Sequence, residues 1–312
     1  MNLEFTDDQK ALLSSIQSIV ADHFSPSAGE RRGRYHYSEA LENELLKNGF
    51  YDVLRTPGMG VMEAVLILEE VSKSASVVEI GASALVAPML TDEVLPRPIV
   101  MADGDLRTFK RFLPVAKTLL YNAGDKVLIL SVEAEQVETL DSIYAYPMGR
   151  FKKLPDLSKA RVLGGAEMSR KMTQWQRLSI AAECAGSMHS AVDFIVGYTT
   201  ERRLFNKTIA NFQAVQHRLA QAYRVARALH FLVLKAAWSK TAFDANQAVS
   251  FAQQHIQQLL FDLHQFNGGM GVTNENLLHF WTYRFRALQP ETGGANSAAL
   301  ATADMLWGDT EE

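Results

Sequence analysis

The sequence has little of three things, and each shortage excludes a class of protein. It contains one cysteine in 312 residues, so no disulfide can form within the chain, and a reducing compartment is expected. Its 31 basic residues do not exceed its 35 acidic ones, which removes the bulk attraction for nucleic acid that a basic surface provides. No apolar run is long enough to cross a membrane. A composition of 47% hydrophobic and 21% charged residues indicates a globular chain with a large core.

Motifs for several common chemistries are also missing. The single thiol, Cys184, lies in the apolar run SIAAECAG, which favours a buried structural residue over a nucleophile. The eight histidines show no metal-ligand spacing, and there is no nucleophile elbow. PGMGVME at 57–63 lacks the preceding strand and third glycine of a dinucleotide loop, so we interpret it as a turn before a helix. The N-terminal MNLEFTDDQK is too polar for a signal peptide, and we expect a cytoplasmic protein.

The patterns that are present predict three regions: 1–95, 96–165 and 166–312. The first contains helices, beginning with a capping box at Thr6 and Gln9 and including a helix that ends at Asn48-Gly49. The second has short β-rich runs separated by turn residues, which predict a small sheet module. From Ala166 the apolar spacing is helical to the end of the chain and predicts a helix bundle. The fold class is therefore mainly α with a small β domain.

Two segments of the bundle region contain more than core residues. ERRLFNKTIANFQAVQHRLA (201–220) places arginines and aromatics before a helix, and HQFNGGMGV (264–272) ends a helix with paired glycines. Paired glycines let a backbone approach a ligand closely, and an arginine can hold phosphate as a fork. The two segments together suggest a pyrophosphate site. The alternative from the residues alone is a glycine-terminated helix with no ligand.

The element order and these motifs resemble the acyl-CoA dehydrogenase family over nearly the whole chain. The family pattern E-R-x-x-F-G-x-x-I-x-x-F-Q is similar to residues 201–213, and its Q-x-x-G-G-x-G matches residues 265–271. The resemblance implies that these segments bind FAD of a neighbouring subunit. The implied cofactor-binding residues are Arg202, Phe205, Gln213, Gln265, Gly268 and Gly269. One departure is Asn206 in place of the family's glycine, a change that the αL tolerance of asparagine accommodates.

Other parts of the family pattern are absent. The resemblance places a catalytic glutamate in a Tyr-Glu-Gly-Thr turn, where this chain has ALQPETGGANS, so that Glu291 is the candidate base in an altered register. The alternative base position on the long helix falls at Gln176, which cannot act as a base. The flavin-holding segments of the family's β domain are missing from 96–165. The remaining reading of Glu291 is a turn glutamate in solvent.

The retained and missing parts together predict a short, degenerate subunit of a heteromeric α2β2 enzyme similar to those of bacterial steroid degradation. We expect an FAD-dependent acyl-CoA dehydrogenase acting on a bulky acyl-CoA, with the base supplied by a homologous full-length partner. One alternative is a self-sufficient homomeric dehydrogenase that uses Glu291. Another is a non-enzymatic scaffold or nucleic-acid-binding relative, which the acidic balance disfavours. Each of these implies an oligomer with a large apolar interface between bundles.

Overall fold

The computed structural model describes residues 4–27, 29–30 and 33–308. Its N-terminal region is helical. Helix α1 (Asp7–Asp22) begins at a capping box: the Thr6 hydroxyl accepts from the Gln9 backbone N–H at 3.2 Å, and the Gln9 side chain accepts from the Thr6 backbone N–H at 3.1 Å. Helix α2 (Glu39–Lys47) ends where Gly49 adopts a φ of 77°. Both helix signals in the sequence are confirmed.

Two further helices complete this region. A 3₁₀ helix (Phe50–Arg55) and a turn lead into α3 (Val61–Val71), which confirms PGMGVME as a turn before a helix. The fourth predicted helix is present, but it begins with π geometry (Gly81–Val86) before continuing as α4 (Ala87–Leu90). The buried Glu79 carboxylate accepts from the Ala82 backbone N–H at 2.8 Å and thereby caps the π turn.

The β module lies between residues 99 and 164 and forms two sheets. The strands are β1 (Ile99–Asp103), β2 (Lys110–Arg111), β3 (Thr118–Asn122), β4 (Val127–Ser131), β5 (Val137–Leu140), β6 (Met148–Phe151) and β7 (Arg161–Gly164). The first sheet has the order β1-β3-β4-β7 and pairs β1 parallel to β3, with its other pairs antiparallel. The second sheet is antiparallel with the order β2-β6-β5.

The C-terminal region is a bundle around one long helix. Its helices are α5 (Ala166–Glu201), α6 (Gln213–Ser239), α7 (Ala242–Asn267), α8 (Leu278–Leu288) and α9 (Gly294–Trp307). The prediction of helix throughout this region was wrong at one place, because a hairpin of β8 (Arg203–Leu204) and β9 (Lys207–Thr208) interrupts it. Its two turn residues both have positive φ, the geometry of a type I′ turn, and Asn206 tolerates that geometry.

Helix α5 organises the molecule, because it packs against α3, α6, α7 and α8 and against the β module. One large core joins the N-terminal helices to the bundle, and a smaller apolar cluster lies within the β module. Cys184 is fully buried in the large core, where burial raises the pKa of its thiol, as expected for a structural residue. The predicted fold class, mainly α with a small β region, is confirmed.

Two further expectations from the sequence concern the division of the chain into regions and the lack of a membrane-spanning segment. The division at 1–95, 96–165 and 166–312 stays a prediction, and its outer bounds lie outside the described residues, as does the start of the MNLEFTDDQK segment. Across the part of the chain that the structure describes, no helix combines the length and the apolar character needed to cross a membrane.

Candidate functional site

The first candidate segment forms an exposed corner after α5. Arg202 ends the helix, its backbone N–H donates to the Tyr198 carbonyl at 2.9 Å, and its side chain is exposed. The hairpin turn that follows holds Phe205 and Asn206 at φ values of 52° and 64°. Phe205 is 88% exposed, so nothing in the described chain covers this aromatic ring. Gln213 is the first residue of α6 and is exposed as well.

The second candidate segment is the open end of α7. Gly268 has φ 61° and ψ −139°, a conformation that is essentially restricted to glycine. An added Cβ at Gly268 or Gly269 would meet no atom within 4 Å, and Gln265 is exposed. Beneath them, Asn267 is 1% exposed, and both polar atoms of its side chain lack a hydrogen-bond partner among the described residues.

Helices α6 and α7 bring the two segments to one end of the bundle. They form an antiparallel pair joined by two residues, and Arg218 of α6 forms an ion pair with Asp262 of α7. The Arg218 guanidinium carbon also lies 5.4 Å from the ring centroid of Phe261 and 5.9 Å from that of Phe266. We call residues 202–213 together with 265–269 the motif surface. It contains all six residues that the resemblance assigns to the cofactor.

The candidate base lies elsewhere, in a cavity of about 390 Å³. The cavity is enclosed by α3, the π turn, α5, the β module and the loop before α9. Glu291 of that loop lines it, and so does the buried Gln176 of α5. Glu291 is therefore not a turn glutamate in solvent. Gln176 occupies the alternative base position with a carboxamide, which cannot take up a proton at neutral pH.

A buried arginine holds the candidate base. Arg111 of β2 donates through Nη2 to Glu291 Oε2 at 3.1 Å and through Nε to the other carboxylate oxygen. Its Nη1 donates to Glu183 Oε2 at 2.8 Å, and the Tyr146 hydroxyl donates to Glu183 Oε1 at 2.6 Å. Burial raises the pKa of Glu291, and the adjacent guanidinium opposes that increase. One cation thus bridges two carboxylates inside the cavity.

Sequence analysis missed Arg111, Glu183 and Tyr146. Arg111 is placed by a two-residue strand in FKRFLP, a segment with no motif that marks it. Glu183 carried a usable signal, because it is the charged residue in the apolar run SIAAECAG, and a carboxylate at such a position is rarely buried without a partner. The partner could not be identified, since it lies 72 residues away in another region.

The motif surface fits the dinucleotide end of FAD, and the fit rests on this chain's own geometry. Two glycines leave their backbone open, and an exposed arginine lies at the neighbouring corner. These are the features of a pyrophosphate site. Arg202 would contact the pyrophosphate, Phe205 would pack beside the cofactor, and Gln213, Gln265, Gly268 and Gly269 would line its ADP half.

Comparisons with known proteins find similarity over the bundle and over the whole chain. Residues 164–304 match the family model "Acyl-CoA dehydrogenase, C-terminal domain". The chain is 23% identical over 299 residues to acyl-CoA dehydrogenase IpdE2 of Mycolicibacterium smegmatis, covering 89% of this chain and 92% of IpdE2. It is 36% identical over 104 residues to the 3-(aryl)acrylate reductase of Clostridium sporogenes, which covers 32% of this chain and only 28% of the reductase.

Solved structures share the fold over nearly the full length. The ChsE4-ChsE5 complex from Mycobacterium tuberculosis superimposes with a TM-score of 0.80 at 20% identity, covering 98% of this chain and 99% of the matched chain. The Tcur3481-Tcur3483 steroid ACAD gives a TM-score of 0.82 at 18% identity, covering 96% and 98%. The family model thus identifies residues 164–304 as similar to an acyl-CoA dehydrogenase C-terminal domain, and the solved structures show that the whole chain shares their fold.

Proposed function

We propose that this chain is one subunit of a heteromeric acyl-CoA dehydrogenase, in which a homologous partner supplies the catalytic base. The observation that carries the proposal is the double engagement of Glu291 by Arg111. A general base needs a free carboxylate oxygen within reach of the substrate α-carbon. Both oxygens of Glu291 accept from one buried guanidinium, which fixes the position of the carboxylate and opposes the rise of its pKa, so Glu291 is a poorer base than a carboxylate without this partner.

Glu183 is no better placed to act as the base. One of its oxygens accepts from the Tyr146 hydroxyl, and both lie within hydrogen-bond distance of Arg111. Breaking such a buried arrangement by removing one partner costs about 3–5 kcal/mol. A network of this kind holds two carboxylates in place and leaves neither free to take a proton from a substrate.

The exposed motif surface supports a shared site. Bound FAD supplies a hydride acceptor for the substrate β-carbon, while a glutamate removes the α-proton. This chain's part is to hold the dinucleotide end: Arg202 offers a fork of donors, and Gly268 and Gly269 let the backbone approach closely. The 88% exposed Phe205 leaves one apolar face for the cofactor or for another subunit.

The relatives support the heteromeric arrangement and the kind of substrate. The ChsE4-ChsE5 and Tcur3481-Tcur3483 structures are each named for two proteins, and the second is named a steroid ACAD. We extend both points to this chain. It forms a hetero-oligomer with a full-length homologue and introduces an α,β double bond into a bulky, steroid-derived acyl-CoA.

Flavin content tests this proposal directly. Expressed alone, the chain should purify without flavin absorbance, and co-expressed with its partner it should carry FAD. Arg202→Ala should remove the flavin from the complex, whereas Arg224→Ala, which removes an exposed arginine of α6 outside the motif surface, should retain it. Stoichiometric FAD on the chain alone, or equal flavin in both variants, would contradict the proposal.

One observation favours a second candidate, a homomeric enzyme that uses Glu291. Glu291 lines the cavity, and burial raises its pKa, as a general base requires. In that case Glu291→Gln should abolish turnover while FAD stays bound. Under the heteromeric proposal the same substitution leaves turnover of the complex within about threefold, and the two functions are thereby distinguished.

A further inference from the structure

Charge is distributed unevenly along the chain, and helix α6 lies in its basic part. The segment from Arg202 to Phe243 contains eight of the 31 basic residues and none of the 35 acidic ones. Helix α6 lies entirely within this segment. The remainder of the chain is therefore more acidic than the net charge of −4 indicates. A basic helix on an acidic protein indicates a surface with a specific partner rather than a general attraction for polyanions.

Helix α6 has a second face besides the one that it contributes to the bundle. The first face packs against α3, α5 and α7. Its buried residues include Leu219, Ala222, Ala226, Leu229 and Val233. The opposite face is exposed or half-buried at spacings of three and four residues, which place side chains on one side of a helix. We call it the α6 stripe, and it consists of Ala220, Arg224, Arg227, Phe231, Lys235 and Trp238.

Arginine and aromatic side chains dominate the α6 stripe. Phe231 and Trp238 are 39% and 59% exposed. The Arg227 guanidinium carbon lies 5.1 Å from the ring centroid of Phe231, and Arg227 forms no ion pair with any described residue. Lys235, by contrast, pairs with Asp244 at 2.8 Å. Exposed aromatic rings beside an arginine that is held in place without a counter-ion are typical of the centre of a protein–protein interface.

The charge of the α6 stripe decides which occupant fits it. A second copy of this chain fits poorly, because a two-fold contact through the stripe brings Arg224 and Arg227 of both copies together, and the helix supplies no carboxylate. A nucleic acid or an anionic membrane presents an extended negative surface, which the acidic remainder of the chain repels. A single helix of a different chain covers the stripe alone, and its carboxylates can meet the arginines.

We propose that the α6 stripe docks an acidic helix of a second, different protein chain. A carboxylate of that helix pairs with Arg227, its apolar side chains pack on Phe231 and Trp238, and Arg224 lies at the solvent-exposed rim. This inference deepens the proposed function and rests on it for the existence of a partner subunit. It adds the surface that binds the partner and the reason why a second copy of this chain does not take the partner's place.

The first test uses only this chain and supplies the missing carboxylate by mutation. Fluorescence anisotropy measures the association of an N-terminally labelled chain with unlabelled chain. Arg227→Glu should bind the wild-type chain at least about tenfold more tightly than either protein binds itself, as expected of about one close charge pair. Lys152→Glu makes the same charge change at an exposed lysine of the β module and should show no such preference. Equal affinities of mixed and unmixed pairs would overturn the proposal.

The second test uses the co-expressed complex. Arg227→Glu and Trp238→Ala should each lower the affinity for the partner subunit at least about tenfold, whereas Arg224→Ala at the rim should lower it less than about threefold. A melting temperature near that of the wild-type chain excludes unfolding as the cause. Unchanged affinity in the first two variants would overturn the proposal, while FAD retained in those complexes would leave the proposed function intact.

Other classes of partner are tested with the same variant. If duplex DNA or phosphatidylserine vesicles bind the wild-type chain and not Arg227→Glu, the stripe serves another class of partner and the proposal is overturned. The anisotropy measurement contains neither flavin nor partner subunit, so its failure is distinct from failure of the proposed function.

Discussion

The motif surface and the cavity are built by opposite means. The motif surface consists of two short stretches whose side chains are exposed and whose glycines meet nothing within 4 Å. The cavity joins residues as far apart as Arg111 and Glu291, 180 positions along the chain, and Arg111 pairs there with two carboxylates. The motif surface leaves its arginine and its glycines exposed to a ligand, whereas the cavity pairs its buried arginine with its own carboxylates. An exposed surface motif and a buried charge network therefore lie in separate regions of this fold.

Among the variants considered, removal of Arg111 should lower the free energy of unfolding most. Arg111→Met leaves two buried carboxylates without their cation and should lower the free energy of unfolding by about 3–5 kcal/mol near neutral pH. Burial then raises the folded-state pKa of Glu291 above its unfolded value. A raised pKa adds stability at low pH that is lost as pH rises, so the deficit should be smaller at pH 5 than at pH 8.

Urea unfolding at the two pH values measures this deficit. The control is Arg150→Met, which removes the cation of a half-exposed ion pair with Glu138. That variant should change stability far less, because exposed pairs are screened by solvent. The double variant Arg111→Met with Glu291→Gln should recover part of the loss. A deficit of equal size at both pH values would show that the cavity carboxylates are not held as ions.

The second prediction concerns the close contact between α3 and α5. A Cβ at Gly186 would lie 2.0 Å from the Glu69 carbonyl oxygen, so Gly186→Ala must push two backbones apart. It should cost about 2–3 kcal/mol, because a well-packed interior accommodates an added methyl group only by shifting its surroundings. Gly197→Ala on the same helix meets no atom within 4 Å and should stabilise by about 0.5–1 kcal/mol. Thermal unfolding of the pair checks this, and equal melting temperatures would contradict it.

The end of α7 offers a matched pair on the motif surface. Gly268 has a positive φ, whereas Gly269 does not. Gly268→Ala should cost about 1–2 kcal/mol and lower the flavin content of the co-expressed complex, because the alanine resists this backbone conformation. Gly269→Ala should leave stability nearly unchanged. Flavin absorbance per complex and the unfolding midpoint should be measured for both variants. Equal values for the two variants would contradict the prediction that the positive φ of Gly268 is what cofactor binding requires.

The same contrast explains what the sequence could and could not predict. Helices, caps and the motif surface follow from local patterns: Thr6 with Gln9, Asn48 with Gly49, and the glycines after α7. The cavity network depends on tertiary contacts between two regions, 96–165 and 166–312, and no spacing in the sequence encodes which carboxylates will meet Arg111. The hairpin was missed because its strands are two residues long, too short for an alternation pattern.

The hairpin turn combines a small predicted change in stability with a predicted loss of cofactor binding. Phe205 has a φ of 52° in a type I′ turn, is 88% exposed, and packs on nothing that its loss would uncover. Phe205→Asn should therefore stabilise the chain by about 0.5–1 kcal/mol, since asparagine tolerates this conformation. Asn206→Gly should be at least neutral for the same reason. If the ring is kept to cover the cofactor, Phe205→Asn lowers flavin retention in the complex and Asn206→Gly does not. If both variants retain flavin, the Phe205 side chain does not contribute to cofactor binding.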